Sequence, residues 1–183
     1  MRNTKQTLII VLIAGIFLIS GCRKLNNEKQ LQTQRSYRVE VLNKREIQVI
    51  DGDTIKYRGK TIRLLGIDAP EKESPFFTKG ASQQPWAGKA KQFIEDAIFD
   101  AGTIKLIQAR SKDRYNRYLG YILVDDKNLN AEIARAGLAY TYYLDRYGKQ
   151  GITKYWQQVK DASEGVVPEF SSPEQWRKEN RRN

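Results

Sequence analysis

Four charged residues crowd one stretch of the chain: Asp53, Arg63, Asp68 and Glu71, within V-I-D-G-D-T-I-K-Y-R-G-K-T-I-R-L-L-G-I-D-A-P-E from Val49 to Glu71. The three carboxylates fall at the ends of predicted strands rather than along a solvated helix face, which points to a hard cation held by oxygen ligands. An arginine inside the same apolar hairpin points to an anionic ligand. A cation and a guanidinium together are what phosphate chemistry needs. The ion polarises phosphate oxygens and orients a water, and the guanidinium gives paired hydrogen bonds to oxygens that gain charge. Asp53 and Asp68 are the candidate ligands and Glu71 the candidate general base. Arg63, with Arg117 from the basic run 110–117, is the candidate charge-stabilising pair.

The chain contains no histidine. That excludes imidazole bases and zinc sites built on imidazole, and leaves carboxylate, lysine or tyrosine to take a proton. Taken singly, each candidate has a plain structural alternative. Asp51-Gly52-Asp53 reads as a turn, Asp68 to Glu71 as a loop or helix start, Arg63 as an outward strand residue and Arg117 as part of a solvated basic run. Their order and clustering favour a site over four coincidences.

The elements that must position these residues read as an α+β domain of ordinary size. Tyr37–Val41 and Glu46–Ile50 read as strands around an Asn43-Lys44 turn, and 53–57 with 61–65 as a hairpin through Arg58-Gly59-Lys60. Pro70 holds Ala69 extended. Residues 74–85 read as a surface loop. Trp86, Ala90, Phe93, Ile94, Ala97 and Ile98 then recur at helical spacing. Residues 103–109 and 118–124 read as strands, with Asp125-Asp126 opening a turn. Asn130 is the expected cap of a short helix closed by Gly137, and Ile152, Tyr155, Trp156 and Val159 mark a third helix. The polar, basic tail 169–183 has Trp176 as a possible docking residue.

With 32 basic against 21 acidic residues the formal net charge is +11, which favours polyanions such as nucleic acid or an acidic membrane surface. At the N-terminus, Arg2 and Lys5 precede an apolar run from Leu8 to Ile19. That run is short for a membrane span, which takes about 20 residues. It ends in Ile19-Ser20-Gly21-Cys22, which resembles the lipobox of bacterial lipoproteins and implies cleavage before Cys22 and lipidation there. Residues 1–21 are thus expected to be a signal peptide, 22–35 a flexible tether and 36–168 the folded domain. The protein is expected to be exported and lipid-anchored to a bacterial membrane, and to act as a monomer.

D-G-D-T, R-L-L-G-I-D-A-P-E and D-R-Y-N-R-Y-L-G-Y, in that order and spacing, closely resemble the signature blocks of the staphylococcal nuclease (thermonuclease) family. The resemblance runs from about Ile47 to the P-E-Q-W-R-K of the tail. It implies a five-stranded OB-fold β-barrel with three helices, and calcium-dependent hydrolysis of DNA and RNA to 3′-phosphate products. Carried over residue by residue, it implies calcium binding by Asp53, Asp68 and the Ala69 carbonyl, base catalysis by Glu71, and catalytic roles for Arg63 and Arg117. Tyr115 and Tyr143 match nucleotide-contacting tyrosines and, with Arg114, form the expected substrate-binding set. Three positions depart from the pattern: Ala69 stands where a threonine is familiar, Asn116 replaces a common glycine, and Asp145 lies where a second tyrosine is expected. Asparagine tolerates left-handed geometry, so the loop at Asn116 is expected to survive. The alternative from another class is a non-catalytic OB-fold lipoprotein that binds nucleic acid through its basic face. A purely structural envelope lipoprotein would explain the anchor but not the hairpin.

Overall fold

The structure, a computed structural model, describes residues 37–142 and 153–182. Cys22 and Tyr143 lie outside the described residues, as do the expected signal peptide and tether.

The hairpin that carries the site forms for a local reason. Strands β1 (Tyr37–Leu42), β2 (Ile47–Asp51), β3 (Thr54–Tyr57) and β4 (Lys60–Leu64) follow one another closely. Between β3 and β4 only Arg58 and Gly59 intervene, at φ 47° and 78°. Two consecutive left-handed residues make the tight turn whose twist matches that of the strands it joins. The resulting register sets Tyr57 against Lys60 and Thr54 against Arg63.

Downstream come β5 (Ile67–Asp68), α1 (Trp86–Asp100), β6 (Ile104–Lys112), β7 (Tyr118–Val124) and β8 (Lys127–Asn128). They are followed by α2 (Leu129–Arg135), β9 (Tyr140–Thr141), α3 (Thr153–Ser163) and α4 (Pro173–Asn180). The main sheet runs β1-β6-β7-β4-β3-β2 with β8 added to β7, and β5 pairs separately with β9. The β4–β7 pairing is parallel, with Arg63 opposite Leu119. The two ends of the path, β1 and β2, are consecutive in the chain, joined through a 3-10 turn at Lys44–Glu46. Among the described residues no ladder joins β1 to β2 directly.

The core lies between this sheet and the helices. Ile55, Leu64, Ile67, Ala90, Ile94, Ile122, Ile133 and Val159 are fully buried. The small Ala90 lets α1 approach the turn before β3: a Cβ on Gly52 would stand 2.7 Å from the Ala90 Cβ and 2.8 Å from that of Ala69. The turn bearing Asp53 is therefore pressed between α1 and the loop bearing Asp68.

The mixed α+β class is as the sequence suggests, with two differences in detail. First, four helices rather than three appear among the described residues. The extra one, α4, lies in the segment expected to be a polar tail; Pro173 starts it and the Ser172 hydroxyl accepts from Gln175 N at 3.3 Å. Its apolar content is too low to signal a helix, and its docking partners, notably Phe77 edge-on to Trp176 at 4.8 Å, lie about a hundred residues away. Second, the cap of α2 is Asn128, whose side chain accepts from Asn130 N, and not Asn130 itself.

Asn130 has a different task. Completely buried, it accepts from Ile122 N at 3.1 Å and donates to Leu65 O at 2.9 Å, tying β7 to the end of β4. Buried backbone groups left without partners cost about 1–3 kcal/mol each. Asn130→Ala strands two of them, so chemical denaturation is expected to show a loss of about 2–6 kcal/mol; a loss well under 1 kcal/mol would mean the interior re-pairs them.

Candidate active site

Five of the sequence-predicted residues converge. Asp53 sits at the start of β3, in a turn held by the Asp51 carboxylate accepting from Asp53 N at 3.2 Å. Arg63 extends from β4, its Nη1 paired with Asp53 Oδ1 and its Nη2 donating to Asp68 Oδ1 at 2.8 Å. Asp68 is fixed by its strand, since β5 pairs Asp68 with Tyr140 of β9. Asp53 Oδ2 accepts from Ala69 N at 2.8 Å, so the contact described at Ala69 runs through its N–H. The side chains of Asp53, Arg63 and Asp68 are 9 %, 12 % and 15 % exposed, which removes most of the water that would screen them.

Glu71 completes the group through the backbone. Gln83, itself buried, donates its N–H to Glu71 O at 2.7 Å and accepts from Glu71 N at 3.0 Å, while its Nε2 donates to Ser171 O at 2.7 Å. The loop 74–85 is thereby clasped to both Glu71 and the segment leading into α4. Burial pushes the Glu71 carboxyl above the usual carboxylate range, against the pull of a hydrogen bond from Arg177. Burial likewise raises Asp51, against the pull of Arg63, Lys72 and Arg117.

Arg177, from α4, enters the same site. Its Nη2 donates to Asp68 Oδ2 at 2.7 Å, and its Nη1 to Glu71 Oε1 at 2.6 Å and Asp68 Oδ1 at 3.2 Å. Burial works against the charged form, but the bonds to Asp68 and Glu71 outweigh it and raise the pKa of Arg177 above the usual arginine value.

Arg117 lies in the loop just before β7. The parallel register sets Arg63 opposite Leu119, two residues beyond Arg117, which brings that loop alongside the hairpin. The charges of Arg63, Arg117 and Asp68 all act on the half-buried Tyr142, which also takes a hydrogen bond from Arg63. Arg117 touches none of the three acids. It is held by Asp113, which accepts from Arg117 Nε at 2.7 Å and from the backbone N–H groups of Tyr115 and Arg117 at 2.9 Å each. Asn116 sits at φ 62°, the left-handed geometry expected of the loop. Tyr115 is 63 % exposed, with the guanidinium carbons of Arg114 and Arg117 at 4.8 and 5.4 Å from its ring centre.

The family model for "Staphylococcal nuclease homologue" matches residues 61–165, more than half of the chain. The chain belongs to the staphylococcal nuclease family. An uncharacterized protein of Methanocaldococcus jannaschii is 31 % identical over 142 residues, covering 66 % of this chain and 69 % of its own length. A thermonuclease of Staphylococcus hyicus is 29 % identical over 121 residues, with 63 % and 66 % covered. Endonuclease YncB of Bacillus subtilis is 33 % identical over 119 residues, with 62 % and 52 % covered. The matched stretch thus spans between about half and just over two thirds of these staphylococcal nuclease relatives.

In this staphylococcal nuclease homologue the ion-binding donors seen at the site are carboxylate oxygens, which suit a hard divalent ion. Among the described residues no three acids lie together as a ready cage, because guanidiniums are interleaved: Arg63 between Asp53 and Asp68, Arg177 between Asp68 and Glu71.

Four residues of the site were not foreseen from the sequence: Gln83, Asp113, Tyr142 and Arg177. Asp113 had a signal, its i,i+4 spacing to Arg117 within D-R-Y-N-R. Gln83 had none, and Arg177, though inside the P-E-Q-W-R-K block, is 106 residues from Glu71 with nothing local to pair them. Burial raises the Asp113 pKa, but the Arg117 and Tyr115 bonds outweigh it and hold it below the ordinary 3.8. A depressed carboxyl contributes its stability above the unfolded value and loses it as pH falls through the folded one. The NMR signal of the Arg117 Nε–H is therefore expected to keep its bonded position down to about pH 3.8 and shift only below it, and in Asp113→Asn to be shifted at neutral pH. An unshifted signal in that variant would deny Asp113 its hold on Arg117.

Proposed function

We propose that the protein is a calcium-dependent nuclease that hydrolyses phosphodiester bonds of DNA and RNA to 3′-phosphate products. One observation carries this reading. Asp53, Asp68, Glu71 and Arg63 are drawn from separate turns and strands into one shielded group, with the loop bearing Arg117 alongside. Asp53, Asp68 and the Ala69 carbonyl are the groups that would hold the ion. When bound, the ion polarises the scissile phosphate and orients the attacking water.

The chain's own residues do the rest. Glu71, raised by burial and so a stronger base than a free glutamate, accepts the proton of that water. Arg63, with Arg117 from the loop that the β4–β7 pairing brings alongside, meets the equatorial oxygens that gain charge as the phosphorus becomes five-coordinate. Tyr115, exposed between Arg114 and Arg117, offers a flat face for a base next to the cleaved bond. The net charge of +11 draws in the polyanion.

We also infer that β1 and β2 act as one bent strand, so that the open path β1-β6-β7-β4-β3-β2 closes as a five-stranded barrel of OB type. The continuity of the chain between the two ends of the path supports this. The domain is proposed to work as a monomer outside the cytoplasm, tethered to a bacterial membrane by lipid on Cys22; the Leu8–Ile19 run and Ile19-Ser20-Gly21-Cys22 support that placement.

The purified full chain is expected to degrade DNA with added Ca²⁺ and to stop with chelator. Removing one charge-stabilising group typically costs about 10²–10³ in rate; Arg63→Ala, Arg117→Ala and Glu71→Ala are each expected to lose activity on that order. Salt-dependent DNA binding without cleavage under any divalent ion would instead identify a non-catalytic binding module. For the anchor, Cys22→Ser is expected to abolish incorporation of labelled palmitate in cells, and unchanged labelling would remove the lipid assignment.

A further inference from the structure

The metal reading leaves one cation unexplained. Asp53, Asp68 and Glu71 face two guanidiniums, and these differ in how freely they can leave. Arg63 is 12 % exposed, belongs to the β4 ladder and bridges Asp53 to Asp68. Arg177 is 37 % exposed and stands at the mouth of the site, so its head group reaches solvent without crossing the core. The helix that carries it is pinned independently. Trp176 packs edge-on against Phe77, Thr78 N donates to Asn180 O at 2.9 Å, and Arg182 N donates to Phe76 O at 3.2 Å. Rotation of the Arg177 side chain therefore frees Glu71 Oε1 and Asp68 Oδ2 while α4 stays docked and Arg63 keeps its hold on Asp53 and Asp68 Oδ1.

We propose that Arg177 is a tethered counter-cation, which a divalent ion must displace from Asp68 and Glu71 in order to bind. The inference rests on the metal reading of the site given above. Arg177 engages both oxygens of Asp68 and one of Glu71. A divalent ion on Asp68 would lie close beside the guanidinium, and like charges at that distance in a shielded site exclude each other. Without the ion, Arg177 stops the acids from repelling one another, so the fold holds at low ion concentration. With the ion, the released guanidinium lies at the rim, beside the exposed side of the site. Arg177 thus sets the ion concentration at which the site fills.

The test is direct ion binding to the full chain, purified in detergent, by calorimetric titration with Ca²⁺. Competition between two groups commonly amounts to about 5- to 150-fold in affinity. Arg177→Met keeps the aliphatic stem and is expected to bind Ca²⁺ tighter by a factor in that range, with a lower melting temperature in the absence of ion. Arg177→Lys, whose single ammonium cannot span both acids, is expected to fall between that variant and wild type. If Arg177→Met fails to fold, Arg177→Lys alone decides, tighter binding than wild type supporting the proposal. Unchanged or weaker binding in a folded variant overturns it and makes Arg177 a residue that merely positions Glu71. Equal binding by all three proteins overturns this inference alone, whereas no binding by any of them overturns the metal reading with it.

Discussion

Asp53, Asp68 and Glu71 are linked in one shielded site only through the guanidiniums interleaved between them, and the rest of this structure is arranged around that balance of charge. Nothing local compels Asp53, Asp68 and Glu71 to meet. Asp53 is brought in by a turn packed under α1, Asp68 by the β5–β9 pair, and Glu71 by a loop clasped through Gln83. Each placement draws on packing or backbone hydrogen bonds remote from the charges. The charges are then balanced by Arg63 from the hairpin and Arg177 from the far end of the chain.

A second pattern runs through the scaffold. Single polar side chains, buried at Asn130 and Gln83 and partly buried at Asp113, do the joining where regular pairing ends. Asn130 links the end of β4 to β7, Gln83 links Glu71 to the segment before α4, and Asp113 folds the loop that presents Arg117. In each case one side chain satisfies two or three partners at once, so its loss would strand several groups in a place water reaches poorly. Such residues carry no chemistry themselves, yet the geometry of Glu71 and Arg117 rests on them.

The relation between site and sheet also explains why the two arginines come from segments about fifty residues apart. The β4–β7 pairing is parallel where the other ladders are antiparallel. That one exception brings the hairpin bearing Arg63 alongside the loop bearing Arg117, so both can face a single phosphate. The Arg114, Tyr115 and Arg117 cluster continues outward from there as a basic and aromatic surface.

Much of this was legible in the residues. The acids and arginines of 53–71 and 110–117, the β3–β4 hairpin and the α1 and α3 periodicities are local patterns, and local patterns survive in a one-dimensional record. Asn116 was correctly read as a left-handed position because that preference belongs to the residue itself. The misreadings are all non-local. Asn130 looks like a cap until the buried carbonyl of Leu65 and N–H of Ile122 claim its side chain. The stretch from Pro173 to Asn180 reads as a polar tail with Trp176 as a docking residue, and it is the docking of Trp176 on Phe77 that shows it as a helix.

The sequence by itself determined the chemistry available: oxygen ligands, a carboxylate base in a chain without histidine, guanidiniums for an anion, and the hairpin that starts to assemble them. Only the tertiary structure decided that Arg177 stands between Asp68 and Glu71, that Arg63 spans Asp53 and Asp68, and that Asp113 aims Arg117. The physical reason is that residue types and short-range turns act through neighbours in the chain. The balance of buried charge acts through neighbours in space, and it is settled only when the last helix docks.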